Sequence, residues 1–358
     1  MEKNTSRKDL SARVEELRRQ YGSELVILAH HYQSDGIVQH VDFSGDSLEL
    51  ARRIPEISAR HIVFCGVFFM AESACLLARQ GQKVYLPDHS AGCRMANMAR
   101  AKDVERILSF LADAGRKTVP LAYVNSSLAV KAVVGKFGGA VCTSSNAVSM
   151  MEWAMQRADT VLFLPDQNLG QNTAKRLGLS EKQQFVIDIA GTTLDCPQSR
   201  DARLLLWPGF CPTHAVNMLP SHVENIRKKH PGCRILVHPE CTPDVVDMVD
   251  GAGSTAFLIK EAEKAAQDGK EKKLCIGTEY HLVNRLAKRF SGTLDVLPLV
   301  KATCPNMEKV TLPKLLDTLE GIADGKNIVT VEENLKAPAR ETLVRMLDHC
   351  RQAKRPRP

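Results

Sequence analysis

Residues 204–211 read LLLWPGFC, a short apolar run followed closely by a cysteine. The pattern occurs twice more, in VYLPDHSAGC (84–93) and VLPLVKATC (296–304). A nearly continuous apolar run is what a strand needs when both faces of a parallel sheet are covered. Cys93, Cys211 and Cys304 therefore read as residues that follow the last strand of three β/α repeats, folded around one shared site.

The surrounding sequence carries the same rhythm. Residues 7–20 place Leu10, Val14 and Leu17 on one helical face, and ELVILA (24–29) is a strand ending at His30-His31-Tyr32-Gln33. Gly45-Asp46-Ser47 opens a helix. Strand HIVFCGV (61–67), helix MAESACLLARQ and strand KVYLP then lead to Cys93. The second unit runs from TVPLAYV (118–124) and Tyr123-Val124-Asn125 through strand GAVC and the turn Thr143-Ser144-Ser145-Asn146. It continues through DTVLFLP, Asp166-Gln167-Asn168, helix NLGQNTAKRL and ARLLLWP to Cys211. The third runs from CRILV (233–237) and His238-Pro239-Glu240 through a helix at 243–249 and Gly251–Thr255 to helix AFLIKEAEKAAQ. KKLCIG, Thr278-Glu279-Tyr280 and TLDVLPL then lead to Cys304. Strands alternating with helical patterns predict parallel α/β units.

Spacing shows an internal repeat. From first strand-end motif to Ser/Thr turn the separations are 17 (30 to 47), 21 (123 to 144) and 17 (238 to 255). From the same motif to the cysteine they are 63 (30 to 93), 88 (123 to 211) and 66 (238 to 304). The excess in the middle unit lies between Ser144 and Cys211, which marks an insertion near 179–202. The expected organisation is an N-terminal helix (1–21), α/β domains at 22–115, 116–231 and 232–312, and C-terminal helices with a basic tail (313–358). Those helices, near 312–323 and 339–352, are expected to pack back on the first unit, with AKRPRP disordered.

Composition narrows the class. The 358 residues are 44% hydrophobic and 25% charged, enough for two or three domains. The formal charge of +7 comes partly from the termini and lacks an aromatic-studded basic stripe, so nucleic-acid binding is not expected. MEKNTSRKDLSARVEELRRQ has no apolar signal core, and no apolar stretch is long enough to span a bilayer. A cytoplasmic protein is expected. There, 11 cysteines argue for reduced thiols or metal ligands rather than disulfides. Cys65, Cys75, Cys142, Cys233 and Cys275 read as buried small hydrophobes. Cys196 in the insertion reads as structural or as an exposed thiol.

Ligands of open parallel sheets bind beyond the carboxyl ends of strands. His30, Tyr32, Tyr123, Asn125, His238 and Glu240 fall there and suit proton transfer and carboxylate recognition. Ser47, Ser144 and Thr255 recur at matched turns. Each alone reads as an N-cap, whereas three together suggest anion-binding helix N-termini. Three cysteines are too few to close a structural zinc site. They suit a metal centre with one open position: a [4Fe–4S] cluster, or a catalytic zinc with His214 as an additional ligand. A non-catalytic iron–sulfur sensor is a third reading, which the strand-end proton-transfer groups count against. No G-x-G-x-x-G follows the first strand, so a Rossmann oxidoreductase is disfavoured.

Ten motifs, AHHYQ, GDSLELA, FCGVFFMAESA, LPDHSAGCRMA, YVNSS, CTSSNAV, LPDQNLGQ, WPGFCPTH, HPEC and CPNM, occur in the order found in the quinolinate synthase (NadA) family, which the chain resembles from about 24 to 312. The insertion is a departure that touches none of them. The resemblance implies three similar α/β domains in pseudo-threefold arrangement around a [4Fe–4S] cluster held by Cys93, Cys211 and Cys304. It implies condensation of iminoaspartate with dihydroxyacetone phosphate to quinolinate, phosphate and water for NAD synthesis, with an open iron as Lewis acid. A transient contact with an L-aspartate-oxidising enzyme is a further expectation. Substrate contacts are expected from His30, Ser47, Tyr123, Val124, Asn125, Ser144, His238, Pro239, Glu240 and Thr255. Acid/base work is expected from His30, Tyr32, Tyr123, His238 and Glu240, with His30 and Glu240 foremost. His31 is expected to be a neighbour only, and His214 to support the cysteine loop.

Overall fold

The apolar runs form three separate, all-parallel sheets in the computed structural model, which describes residues 7–190 and 192–352. The tail AKRPRP lies outside the described residues. The first sheet contains β1 (Leu25–His30), β2 (Phe43–Gly45), β3 (His61–Cys65) and β4 (Lys83–Tyr85), in the order β2-β1-β3-β4. The second contains β5 (Thr118–Tyr123), β6 (Ala140–Cys142), β7 (Thr160–Leu164), β8 (Gln184–Val186) and β9 (Leu204–Leu206), in the order β6-β5-β7-β9-β8. The third contains β10 (Arg234–Val237), β11 (Gly251–Ala252), β12 (Lys273–Gly277) and β13 (Asp295–Pro298), in the order β11-β10-β12-β13.

The order is the same in all three once β8 is set aside. β8 lies in the insertion expected near 179–202 and adds an edge strand beside β9. The central pairs also correspond: β1 on β3 from Leu25↔His61, β5 on β7 from Thr118↔Thr160, and β10 on β12 from Arg234↔Leu274. These strands are almost wholly buried, and β7 (TVLFL) is buried at every residue. An unbroken apolar run can satisfy a strand only when helices cover both faces.

The chain forms two compact units. One comprises residues up to Cys93 together with Thr303–Val331; the other comprises Arg94–Ala302 and the segment from Glu332. In the first unit, Val14 and Leu17 of helix Arg7–Tyr21 and Leu315 and Leu319 of helix Leu312–Glu320 share a core with Ile27, Ala29, Val63, Cys65 and Tyr85. The second unit holds the other two sheets; Val223, Ile235, Val237, Val245 and Cys275 build the core of the third.

The C-terminal helices divide. Helix Leu312–Glu320 packs in the first unit, as expected. The last helix, Glu333–Gln352, instead packs on helix Leu128–Lys136 in the second unit, burying Leu343, Met346 and Leu347. It also begins before Pro338 rather than after it. Proline lacks the N–H that a helix interior uses, which makes a boundary there the natural sequence reading. Packing carries the helix through. Gly135 allows the close approach, because a Cβ there would lie 2.0 Å from the Pro338 carbonyl oxygen.

Candidate functional site

Six strand ends of the second unit bring their side chains into one buried network. Tyr123 ends β5, Ser144 follows β6, and Asp166 follows β7. Cys211 and His214 follow β9, His238 and Glu240 follow β10, and Thr278 follows β12. Parallel strands end on one edge of each sheet, so loops far apart in sequence share that edge.

Glu240 is the centre of the network. It is 3% exposed. His214 Nδ1 lies 2.7 Å from its Oε2, and the Tyr123 hydroxyl also donates to the carboxylate. Burial by itself raises this carboxyl. The neighbouring His238 and His214 and the hydrogen bonds from His214 and Tyr123 outweigh it, holding Glu240 well below the usual carboxylate range.

His238 stacks on His214, with ring centroids 4.6 Å apart. Burial lowers its pKa to about 3, against the attraction of Glu240, so the ring is neutral at neutral pH. Its Nδ1 accepts from the Glu240 backbone N–H at 3.3 Å. The single proton of a neutral imidazole must then sit on Nε2, which faces Ser144 Oγ at 3.2 Å. Ser144 is thereby an acceptor toward His238 and keeps its own proton for another partner.

His214 links the carboxylate to the cysteine loop. The same Nδ1 lies 3.2 Å from Cys211 Sγ, and Nε2 lies 3.2 Å from Thr278 Oγ1. A turn closes the loop, with the His214 N–H donating to the Cys211 carbonyl at 3.2 Å. Cys211, His214 and Glu240 each offer a ligand atom, and these atoms lie within 4.8 Å of one another.

Asp166 was placed at a strand end by the sequence but given no role. Its buried carboxyl accepts from the Leu169 N–H at 2.7 Å, and its Oδ2 makes no hydrogen bond. Burial, then the charge of Glu240, raises its pKa well above the usual value, against amide donors that include Cys211. The two carboxyls thus shift in opposite directions, Glu240 down and Asp166 up. Thr278 is the second residue the sequence left without a role. Only its placement after β12, the strand equivalent to β7, could have drawn attention to it.

The other residues of this unit take varied places. Val124 is buried and its N–H donates to the Cys142 carbonyl at 2.8 Å. Asn125 Oδ1 is buried without a hydrogen-bond partner. Pro239 offers its carbonyl to Asn172 Nδ2 at 2.9 Å. Thr255 is buried at the start of helix Thr255–Asp268 and, among the described residues, takes no part in the network around Glu240.

In the first unit His30 ends β1 and Tyr32 follows it. Their rings meet edge to face at 4.5 Å, and the Tyr32 N–H donates to His30 Nδ1 at 3.2 Å. His31 turns to Glu49, 3.4 Å away. Ser47 opens helix Ser47–Arg53, but Asp46 does the capping, accepting from the Leu48 and Glu49 N–H groups at 2.9 Å. Ser254 likewise caps the helix that Thr255 begins, and Asn146 holds the N-cap position after Ser144. The side-chain capping role therefore falls on the neighbours of Ser47 and Thr255, whereas Asn146 makes no side-chain cap.

The cysteines separate by environment. Cys93, Cys211 and Cys304 form no disulfide and are half-buried, eight, five and six residues past β4, β9 and β13. Cys65, Cys142, Cys241 and Cys275 are buried, and burial pushes their thiols up, Cys275 to about 12. Such thiols do not supply thiolate near neutral pH. Cys196 caps the short helix Pro197–Asp201, its Sγ accepting from the Ser199 N–H at 3.4 Å, in keeping with a structural reading.

No helix among the described residues is long and apolar enough to cross a membrane. The family model described as quinolinate synthetase A protein matches residues 12–348. The quinolinate synthase of Acidobacterium capsulatum is 42% identical over 349 residues, covering 95% of this chain and 92% of that protein. Those of Streptomyces coelicolor and Geobacillus kaustophilus are each 43% identical over 352 residues; the alignments cover 95% and 96% of this chain and 88% and 95% of the relatives. A family match over nearly the whole chain, with relatives this similar end to end, places the chain in the quinolinate synthetase A family.

Proposed function

We propose that the chain is a quinolinate synthase of NAD biosynthesis, condensing iminoaspartate with dihydroxyacetone phosphate and releasing phosphate and water. The observation that carries this reading is the buried set of Tyr123, His214, His238 and Glu240 beside Cys211, in a chain of this family. The reaction is a condensing and dehydrating transfer that must move protons at several carbons. An ionised carboxylate, a phenol, a neutral imidazole and a hydroxyl in one network are suited to that.

Glu240 is the base for enamine formation and ring closure. Tyr123 and His214, its hydrogen-bond donors, stabilise its charge between transfers. His238 orients Ser144 so that the hydroxyl donates to a substrate oxygen. Asn125, with its unpartnered Oδ1, Val124 and Pro239 line the substrate position. Ser47 and Thr255 take the carboxylates or the phosphate. His30 and Tyr32 are the acid/base pair contributed by the first repeat. The chain is organised as α/β domains at 22–115, 116–231 and 232–312, each supplying one cysteine.

The donor chemistry fits a [4Fe–4S] cluster on Cys93, Cys211 and Cys304, half-buried cysteines on corresponding loops that form no disulfide. When bound, such a cluster leaves one iron without a protein ligand, a Lewis acid for a hydroxyl that departs as water. The chain works in the cytoplasm, where thiols stay reduced, and an L-aspartate-oxidising enzyme met transiently supplies the imine. The test is an anaerobic assay with iminoaspartate and dihydroxyacetone phosphate, alongside iron and sulfide analysis. Quinolinate from cluster-loaded protein is expected. Loaded protein that yields none would favour a sensor, and zinc without sulfide in active protein would favour a zinc enzyme.

A further inference from the structure

We propose that Cys211, His214 and Glu240 form a three-ligand site for zinc in chains that lack a cluster, so that zinc and the cluster compete for the Cys211 sulfur. The site itself stands on geometry. Only the competition rests on the functional reading above.

Three observations converge. First, the donors form a compact triangle: His214 Nδ1 lies 2.7 Å from Glu240 Oε2 and 3.2 Å from Cys211 Sγ, and the set spans no more than 4.8 Å. Zinc bonds of about 2.0–2.3 Å to N, O and S put the ligand atoms of one tetrahedral ion about 3–4 Å apart. The two edges at His214, 2.7 and 3.2 Å, therefore need only a small expansion to admit the ion. Second, the imidazole is already held as a ligand is held. Its other nitrogen, Nε2, meets Thr278 Oγ1 at 3.2 Å, the kind of outer partner that fixes the orientation of a metal-bound histidine. Third, the Glu240 carboxyl is buried, where a divalent cation meets it without competing water, and the buried Asp166 has an Oδ2 that makes no hydrogen bond. Binding releases the thiol proton of Cys211, shifts the proton of the neutral His214 ring to Nε2, where Thr278 Oγ1 can accept it, and involves no redox change. It leaves a fourth position open, but it removes from the proposed reaction both a cluster ligand and its central base.

The test uses the full chain without its cluster, in the absence of oxygen, with Co2+ as a spectroscopic probe for zinc. One Co2+ per chain is expected, with tetrahedral visible bands and a near-ultraviolet charge-transfer band of single-thiolate intensity, all displaced by Zn2+. His214→Ala and Glu240→Gln should each weaken Co2+ binding at least ~10-fold. Cys211→Ser should remove the charge-transfer band, while Cys93→Ser and Cys304→Ser should leave it. Zinc-loaded chains should take up iron and sulfide more slowly than zinc-free ones, and cluster-loaded chains should take up no Co2+. A band of two- or three-thiolate intensity in the native chain would place the ion on the cysteines and overturn the proposal without any variant. So would affinity unchanged in both His214→Ala and Glu240→Gln, or no stoichiometric binding. Cobalt binding as described in a chain that never forms a cluster would sink the functional reading and leave the zinc site standing.

Discussion

Replacing Glu240 with glutamine separates its chemical role from its structural one. The carboxylate is 3% exposed and accepts from His214 Nδ1 at 2.7 Å and from Tyr123. Glutamine keeps the shape, keeps one acceptor oxygen and removes the charge and the basicity. Loss of a positioned acid/base group typically lowers turnover by roughly 10²–10⁴, about 3–5 kcal/mol on the barrier. The effect on folding should be much smaller. Hydrogen bonds to a charged group contribute about 1.5–3 kcal/mol each, but the variant also escapes the cost of burying an ion, which offsets much of that loss. Glu240→Gln should therefore melt within a few degrees of the native chain, bind iron and sulfide normally and lose nearly all quinolinate formation. The assay is anaerobic turnover, with iron and sulfide analysis and a melting curve on the same preparation. Turnover within ~10-fold of native, with the cluster intact, would remove Glu240 from proton transfer. Loss of the cluster together with turnover would also refute the reasoning, since it would show that Glu240 acts by holding the Cys211 loop.

Further outcomes are expected elsewhere in the chain. Cys93→Ala, Cys211→Ala and Cys304→Ala should each abolish turnover and the brown colour of anaerobically purified protein; full iron and sulfide in all three would end the cluster assignment. His238 is buried with its pKa lowered from 6.5 to about 3, so its contribution to stability is present above the unfolded-state value and is lost as pH falls from about 6.5 toward 3. The urea-derived stability advantage of the native chain over His238→Gln should shrink between pH 7 and pH 4, and parallel curves would show that the ring is not held neutral. Gly135→Ala places a Cβ 2.0 Å from the Pro338 oxygen and should destabilise the second unit by about 1–3 kcal/mol; an unchanged melting temperature would mean that the last helix does not pack closely there.

The length and apolarity of the strand runs were legible in the sequence because a strand buried on both faces must be apolar throughout. That is why LVILAH, TVPLAY and RILV are recognisable as the first strands of three repeats. The strand ends, and with them His30, Tyr123, His238 and the three cysteines, followed directly from the same reading. The edge strands β2 and β11 did not show, because three and two residues are too few to display a period. The last helix was read as starting after Pro338, because local backbone chemistry argues for a boundary that only packing against Gly135 overrides.

The site divides in the same way. Sequence alone could say which residue types wait at which strand ends. It could not say that His214 reaches Glu240 from one loop and Thr278 from another, nor that burial and then the charge of Glu240 raise the Asp166 carboxyl. Those facts depend on distances between residues 26 to 74 positions apart (His214 to Glu240, Asp166 to Glu240) and on the exclusion of water around them. Periodicity and composition report what a residue prefers locally. Proton positions and the closeness of potential metal ligands are set by which loops the sheets bring to a common edge, and only the tertiary structure decides that.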